Sequence, residues 1–224
     1  MSGQLLPAAE PASLRRAAAA LVEGDVVAVP TDTVYGLAVD PTQPEAVARL
    51  FALKGRPEDV PLPILVGAPE QVALVAGELE LAAAELAARF WPGPLTLVVP
   101  RRAEFTVDLG GQSTALRTVG IRCPDHPVVV ALCDLLGPLA VTSANRHGQA
   151  PATTAERVEA AFPGSDGPAV VLDGGTCDGT PSTVVECRGP ASRCLREGAI
   201  PWSLLRGNLR PSGPGPGTGG TWWG

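Results

Sequence analysis

Residues 26–36 read VVAVPTDTVYG, in which four apolar residues are followed by a proline and then by three polar side chains. The run Val26 to Val29 predicts a short buried strand, because short apolar runs rich in β-branched residues are typical of strands. Pro30 ends this strand, and the polar residues after it are typical of a turn. In an open α/β sheet, a buried strand that ends in polar side chains is a usual position for a ligand site.

Predicted helices and strands alternate along the rest of the chain. The helices are predicted over 12–23, 44–53, 69–75, 79–90, 127–136 and 153–162, and the other strands over 62–66, 95–99, 118–122, 139–141, 170–173, 182–186 and 193–196. Some strands are joined through helices and others through short turns, which favours a mixed sheet. We therefore predict an α/β fold with a twisted, mostly open mixed sheet flanked by helices.

The same pattern places the domain boundary near the end of the chain. Residues 1–205 form the predicted domain, and residues 206–224 are too rich in Gly and Pro for a packed core, so we expect a flexible tail. The tail contains a G-x-G-x-x-G match that begins at Gly215. It lacks a preceding strand and a following helix, and we do not interpret it as a dinucleotide site.

Composition and charge exclude several classes of protein. The 224 residues carry 17 Lys+Arg against 23 Asp+Glu, for a net charge of -6, which argues against a broad nucleic-acid-binding surface. No apolar run is long enough to span a membrane and no signal-peptide core is visible, so we expect a cytoplasmic protein without membrane contact. The 5 cysteines form no C-x-x-C pair, which favours reduced thiols over a zinc site.

Lys54 is the only lysine in the chain and lies in the tetrapeptide Lys54-Gly55-Arg56-Pro57. A lysine two residues from an arginine, in a loop closed by proline, is suited to binding a phosphate or another small anion. The alternative is chance, since a chain poor in lysine must place its last one somewhere.

Three clusters of polar side chains lie beside predicted strands, at residues 31–33, 142–145 and 181–183. Each cluster alone is ordinary turn chemistry. Because loops at strand ends converge in open α/β sheets, three such clusters together with the Lys54 loop predict one shared pocket for a small polar ligand.

Two arginines lie in predicted strands, where an unpaired charge facing the core is costly. Arg122 therefore requires a carboxylate partner, from the protein or from a ligand. Arg196 raises the same question, although its neighbour Glu197 offers a simple surface pair. Arg101 and Arg102 follow a strand and are expected to be solvated.

A series of short motifs runs from Asp25 to Ile200 and includes K-x-R (Lys54 and Arg56) with a distal S-x-N (Ser143 and Asn145). The segments are PTDTVYGLAVD (30–40), LFALKGRPEDVPLPILV (50–66), FWPGPLTLVVP (90–100), TVGIRCPDHPVVVALC (118–133), LAVTSANRHGQAP (139–151), VLDGG (171–175), STVVE (182–186) and CLREGAI (194–200). With these motifs in this order, the chain resembles the YrdC family, which contains the bacterial threonylcarbamoyl-adenylate synthases of the TsaC type.

The resemblance implies an α/β fold around a deep, positively charged cavity and an enzyme that forms L-threonylcarbamoyl-adenylate and pyrophosphate. The implied substrates are ATP, L-threonine and bicarbonate or CO2, with Mg2+ held by the ATP phosphates rather than by protein side chains. Downstream proteins would transfer the product to adenosine 37 of tRNA, and tRNA contact by this chain would be weak. The residues implied for threonine are Thr33, Arg122, Ser143 and Ser182, and those implied for ATP are Lys54, Arg56, Thr118, Asn145 and Arg196.

Two positions depart from the family pattern. Val60 stands where relatives often carry lysine or asparagine near ATP, and Leu65 stands where some carry a histidine near threonine. The chain also ends soon after the matching region, so we expect a short, single-domain form. We assign no protein general base, and a site without histidine is compatible with the implied reaction. We expect Lys54→Ala to lower turnover severely and to leave thermal stability little changed, because a loop lysine contributes little to the core.

Three other functions fit parts of the pattern. A carbamoyltransferase of hydrogenase maturation carries a similar module, but with acylphosphatase and zinc-finger regions that this sequence does not show. A binding module would dock on structured RNA without catalysis, which the acidic charge balance disfavours. A paralogue with the same scaffold and another substrate is the third alternative, and Val60 keeps it open.

Overall fold

The computed structural model describes residues 3–55, 60–110, 117–164, 167–188 and 191–207. The strands in these residues are β1 Gln4–Pro7, β2 Val27–Val29, β3 Gly36–Val39, β4 Ile64–Leu65, β5 Leu95–Pro100, β6 Thr118–Arg122, β7 Leu139–Ser143, β8 Val170–Asp173, β9 Thr183–Arg188 and β10 Ala191–Arg196. The helices are α1 Pro11–Val22, α2 Pro44–Lys54, α3 Leu81–Phe90, α4 Pro127–Leu136, α5 Ala155–Ala161 and α6 Trp202–Arg206, with a 3-10 helix at Pro69–Leu74.

The described strands form one ten-stranded sheet in the order β1-β8-β2-β3-β7-β4-β6-β5-β9-β10. Strand β8 is parallel to β1 and β2, β4 is parallel to β6, and β5 is parallel to β9. The remaining neighbours are antiparallel. The predicted α/β fold with a mixed, open sheet is therefore confirmed. Non-consecutive strands lie side by side in this order, so residues far apart in sequence meet at the centre of the sheet.

Helices cover both faces of the sheet, so its central strands are buried on both sides. Helices α1 and α4 pack on the face that carries Val27 and Val29, and their own buried residues join that core. Helices α2, α3 and α5 pack on the opposite face, where Ala28 and Ile64 lie. Burial on both sides explains why several strands are continuous apolar runs rather than alternating ones.

The structure differs from the sequence prediction at short or proline-containing segments. Strands β1 and β3 and helix α6 were not predicted: β1 has only the apolar pair Leu5 and Leu6 between Gln4 and Pro7, β3 follows soon after the predicted turn, and the five residues of α6 are too few to show a helical period. The strand predicted over 62–66 is limited to Ile64 and Leu65, and Pro61 and Pro63 have no backbone N–H to donate. The segment predicted as a helix at 69–75 is a 3-10 helix.

The predicted boundary at residue 206 falls within the last described helix, which ends at Arg206. Residues 208–224 of the predicted tail lie outside the described residues, so the tail stays a prediction. No helix in the described part of the chain is long and apolar enough to cross a bilayer.

Two buried thiols make the stability of the fold sensitive to alkaline pH. Burial raises the pKa of Cys133 from 9.0 to about 12 and that of Cys123 to about 11. The folded state keeps these protons after the unfolded chain has lost them, so their contribution is complete below pH 9 and decreases as the pH rises further. We expect the free energy of unfolding to fall above pH 9, by at most about 1.4 kcal/mol per pH unit for each thiol.

Urea titrations between pH 8 and 11 measure this slope. The variant Cys133→Ala removes one of the two thiols and should show a shallower decrease of unfolding free energy with pH, whatever its stability at pH 8. An identical slope in the variant and in the unmodified protein would contradict the assignment.

Candidate active site

A cavity of about 370 Å³ opens where the ends of the central strands meet the loop after β2 and the end of α2. Seven of the nine residues predicted for the site lie in its wall, namely Thr33, Lys54, Arg122, Ser143, Asn145, Ser182 and Arg196. The other described lining residues are Thr31, Val34, Tyr35, Gly36, Pro63, Leu65, Thr96, Val141, Thr142, His147, Gly148, Gln149, Pro151, Pro181 and Val184. The single pocket predicted from three polar clusters and the Lys54 loop is therefore present.

Lys54 contacts the S-x-N segment directly. Its Nζ donates to the backbone oxygen of Ser143 at 2.7 Å and lies 3.2 Å from Ser143 Oγ. The same Nζ is 3.0 Å from Asn145 Oδ1 and 3.2 Å from the Asn145 backbone oxygen. The Asn145 amide nitrogen donates to the backbone oxygens of Arg146 and Gln149. One ammonium group thus holds the turn after β7 against the end of α2.

Lys54 is a buried helical residue and not a loop residue, which corrects the sequence expectation. It is the last residue of α2 and is only 3% exposed. Gly55 follows with a φ of 61°, the left-handed conformation that ends many helices. A cation in the last turn also interacts favourably with the negative end of the helix dipole. The expectation that Lys54→Ala leaves thermal stability little changed assumed that Lys54 lies in a loop, and this assumption is wrong.

Arg122, at the end of β6, forms the ion pair that its strand position required. Its guanidinium donates to Asp32 Oδ1, to Thr33 Oγ1 at 2.9 Å and to the Gly93 backbone oxygen at 3.0 Å. Burial lowers the pKa of Arg122, and the charge of Asp32 opposes that shift. The second oxygen of Asp32 is buried and has no hydrogen-bond partner among the described residues. These three bonds use one N–H group on each nitrogen of the Arg122 guanidinium and leave two of its five N–H groups for other acceptors.

In the polar cluster at residues 31–33, the donor and the acceptor of each hydroxyl hydrogen bond can be assigned. Thr31 Oγ1 donates its only proton to the Val34 backbone oxygen at 2.7 Å. The 3.0 Å bond between Thr31 and Thr33 must then be donated by Thr33. Thr33 also accepts from Arg122, so its hydroxyl has used its proton and offers a ligand only an acceptor.

Arg196 lies at the other side of the cavity and bonds to Ser182. It donates to the Ser182 backbone oxygen at 3.0 Å and reaches Ser182 Oγ at 3.3 Å. Ser182 Oγ in turn lies 2.9 Å from Thr96 Oγ1. Burial lowers the pKa of Arg196, and the nearby positive charge of Arg122 lowers it further. The surface pair with Glu197 does not form: the described residues place no carboxylate within ion-pair distance of Arg196.

The cavity is an anion-binding environment within an acidic protein. Its described lining includes the cationic side chains of Lys54, Arg122 and Arg196 and no aspartate or glutamate. Hydroxyl and amide groups supply the remaining polar lining. A cavity with several buried cations and few carboxylates attracts carboxylate and phosphate groups.

Two predicted site residues are not placed in this cavity. Thr118 lies at the start of β6, four residues before Arg122, and is not part of the described lining. Its predicted role requires a ligand that extends beyond the cavity. Arg56 lies outside the described residues, so its role stays a prediction. The solvated position expected for Arg101 is wrong, because Arg101 donates to the backbone oxygens of Phe105 and Val107.

Four residues near the site were not proposed individually from the sequence. Asp32 was named only within the polar cluster at residues 31–33, and Thr96 and Tyr35 were not selected, although each is a polar residue within or soon after an apolar strand. His147 lies in the cavity wall, and its backbone N–H donates to the Lys54 backbone oxygen at 2.9 Å. Leu65 also lines the cavity.

Two proteins with similar sequences carry the same name. A threonylcarbamoyl-AMP synthase of Bacillus subtilis is 40% identical over 201 residues, which cover 88% of this chain and 57% of that protein. A threonylcarbamoyl-AMP synthase of Halorhodospira halophila is 42% identical over 159 residues, which cover 70% of this chain and 81% of that protein. The chain therefore spans little more than half of the longer relative and most of the shorter one.

A solved structure and a family model also match most of this chain. The crystal structure of Pyrococcus abyssi Sua5 complexed with L-threonine superposes with a TM-score of 0.83 at 36% identity, over 92% of this chain and 60% of that one. The Sua5/YciO/YrdC family model, described as "Telomere recombination", matches residues 19–198. With a match over most of its length, this chain belongs to the Sua5/YciO/YrdC family.

Proposed function

We propose that this chain is a threonylcarbamoyl-AMP synthase, which joins L-threonine, one carbon from bicarbonate or CO2, and the AMP part of ATP, and releases pyrophosphate. The observation that supports it most strongly is the direct contact of Lys54 with Ser143 and Asn145 in the wall of an anion-binding cavity. Two segments 89 residues apart in sequence thereby form one site. The names of the relatives agree with this function.

The reaction asks the protein mainly for positioning and for neutralisation of charge. The neutral amine of threonine attacks the carbon donor to form a carbamate, with loss of water when the donor is bicarbonate. A carbamate oxygen then forms a bond to the α-phosphorus, and the bond to pyrophosphate breaks in line with it. Cationic groups around the phosphates stabilise the negative charge that moves to pyrophosphate. We assign this neutralisation of phosphate charge to Lys54 and Arg196, which line the cavity, and to Arg56, which lies outside the described residues.

The threonine subsite is proposed at Thr33, Arg122, Ser143 and Ser182. The remaining N–H groups of Arg122 can donate to the threonine carboxylate. Thr33, which offers only an acceptor, suits the amine or the hydroxyl of threonine. The ATP subsite is proposed at Lys54, Arg56, Asn145 and Arg196, with Thr118 reached only by an extended ligand.

Magnesium fits this site through the nucleotide. The described lining contains no carboxylate, and no group of three His, Cys, Asp or Glu residues in the described chain could hold a metal. Mg2+ commonly keeps several waters and binds substrate phosphates. We therefore propose that ATP brings Mg2+, which adds positive charge beside the phosphates. Transfer proteins that modify tRNA would receive the product in the cytoplasm.

The assay that tests this function supplies purified protein with ATP, Mg2+, labelled bicarbonate and one amino acid at a time. We expect pyrophosphate release and a labelled adenylate with L-threonine, and a much lower rate with the other amino acids. Absence of threonine-dependent turnover would contradict the proposal. Retained binding of structured RNA without turnover would instead support a binding module.

A further inference from the structure

The hydroxyl pair of Thr96 and Ser182 has one proton more than the described protein can accept. Each hydroxyl carries one proton, and one of the two protons lies in the 2.9 Å bond between them. Arg196, the other side chain that bonds to Ser182 Oγ, can only donate. Neither Thr96 nor Ser182 has a further acceptor for its hydroxyl among the described residues.

This excess proton lies in the cavity and not in the bulk solvent. Thr96 is 4% exposed and Ser182 is 7% exposed, and both residues line the cavity. A buried donor without an acceptor costs free energy, so such donors in folded proteins are normally satisfied by protein, water or ligand. The polar cluster at residues 31–33 has no such excess proton, because the hydroxyl protons of Thr31 and Thr33 are both accepted within the protein.

The charge beside the pair indicates which ligand atom completes it. Arg196 donates to Ser182 and has no carboxylate partner among the described residues, so the surroundings favour a negatively charged acceptor. Arg122 adds a second positive charge close enough to lower the pKa of Arg196. An oxygen of a carboxylate or a phosphate is the group that meets both requirements.

We propose that Thr96 and Ser182 act as one hydrogen-bond donor to an anionic oxygen of the substrate, which makes Thr96 a further substrate-positioning residue. The inference rests on the proposed function for the identity of that substrate. Ser182 accepts from Arg196 and donates to Thr96, so Thr96 gives the remaining proton to the ligand, because hydrogen bonds that run in one direction from a cation polarise one another. Thr96→Val removes this donor, whereas Ser182→Ala leaves the Thr96 hydroxyl in place.

The test compares Thr96→Val, which keeps the shape and removes the hydroxyl, with Thr96→Ser, which keeps the hydroxyl. We expect Thr96→Val to raise one half-saturation concentration by about 10- to 100-fold, the range for one hydrogen bond to a charged group, with a smaller change in kcat. A rise for L-threonine identifies the carboxylate as the acceptor, and a rise for ATP identifies a phosphate. Thr96→Ser should recover most of the loss.

A double-variant cycle with Ser182→Ala separates this role from a structural one. We expect Thr96→Val and the combined variant to have similar losses and Ser182→Ala a smaller one, because only Thr96 carries the proton that is donated to the ligand. Additive losses, unchanged half-saturation for both substrates, or a Thr96→Ser variant as weak as Thr96→Val would overturn the proposal.

The proposal is also tested by binding alone. We expect at least one of two probes, inorganic pyrophosphate or L-threonine, to bind more weakly to Thr96→Val than to the unmodified protein in calorimetry. The melting temperatures of the two proteins should agree within a few degrees. If the unmodified protein showed no threonine-dependent turnover, the proposed function would fail while this comparison would still decide the role of Thr96. Equal affinity of the unmodified protein and Thr96→Val for both probes would overturn it.

Discussion

Replacing Lys54 with alanine is expected to lower turnover at least 100-fold and also to lower the melting temperature by about 2–12 °C. The Lys54 ammonium donates to acceptors of Ser143 and Asn145 that are buried or half-buried. Losing it leaves those oxygens without their donor, at a cost of about 1–3 kcal/mol. For a chain of this size, each kcal/mol corresponds to roughly 2–4 °C. Steady-state kinetics and thermal denaturation of the same preparation measure both effects.

Two controls make this result interpretable. Lys54→Met keeps the packing of the aliphatic stem, so a similar loss in both variants assigns the effect to the ammonium group. Arg49→Ala, on the same helix, removes an exposed pair with Asp25 and should change stability by less than about 1 kcal/mol. An unchanged melting temperature in Lys54→Ala would show that Lys54 binds the substrate without contributing to the stability of the fold.

Replacing Arg122 with alanine is expected to raise the half-saturation concentration for L-threonine about 100-fold, with a smaller effect on that for ATP. Stability should also fall, because the Arg122 and Asp32 side chains are only 7% and 14% exposed and form a close ion pair. Removing one partner of a buried pair leaves an uncompensated charge and costs about 3–5 kcal/mol. Turnover at varied threonine and unfolding in urea measure the two effects separately.

The combined variant Arg122→Met with Asp32→Asn separates binding from stability. It removes both charges while it keeps similar volumes, so we expect it to recover much of the stability lost in Arg122→Ala. Threonine affinity should stay low, because the cation is still absent. Recovery of threonine affinity in the combined variant would show that Arg122 acts by supporting the fold and does not contact the substrate.

The fold class and much of the site could be predicted from the sequence, because these depend on local patterns. Apolar runs such as Leu95 to Val99 and the helical segment 127–136 have the length and composition of their elements. The position of polar residues beside strands, as at Thr33 and Ser143, identified several of the polar residues in the cavity wall. Strand β3 was missed because it follows soon after the turn predicted beyond Pro30, and β1 was missed because it has only Leu5 and Leu6 between Gln4 and Pro7.

The sequence by itself determined which side chains were available: one lysine, a few strand arginines and three polar clusters. Only the tertiary structure decided what each of them contacts, because the sheet order places β7 beside β3 and β4, and β5 beside β9. Through these neighbours Lys54 reaches Ser143, and Thr96 reaches Ser182 across 86 residues of chain. Hydrogen-bond direction and charge pairing, such as Asp32 with Arg122, depend on distances of a few ångströms, which no linear spacing specifies.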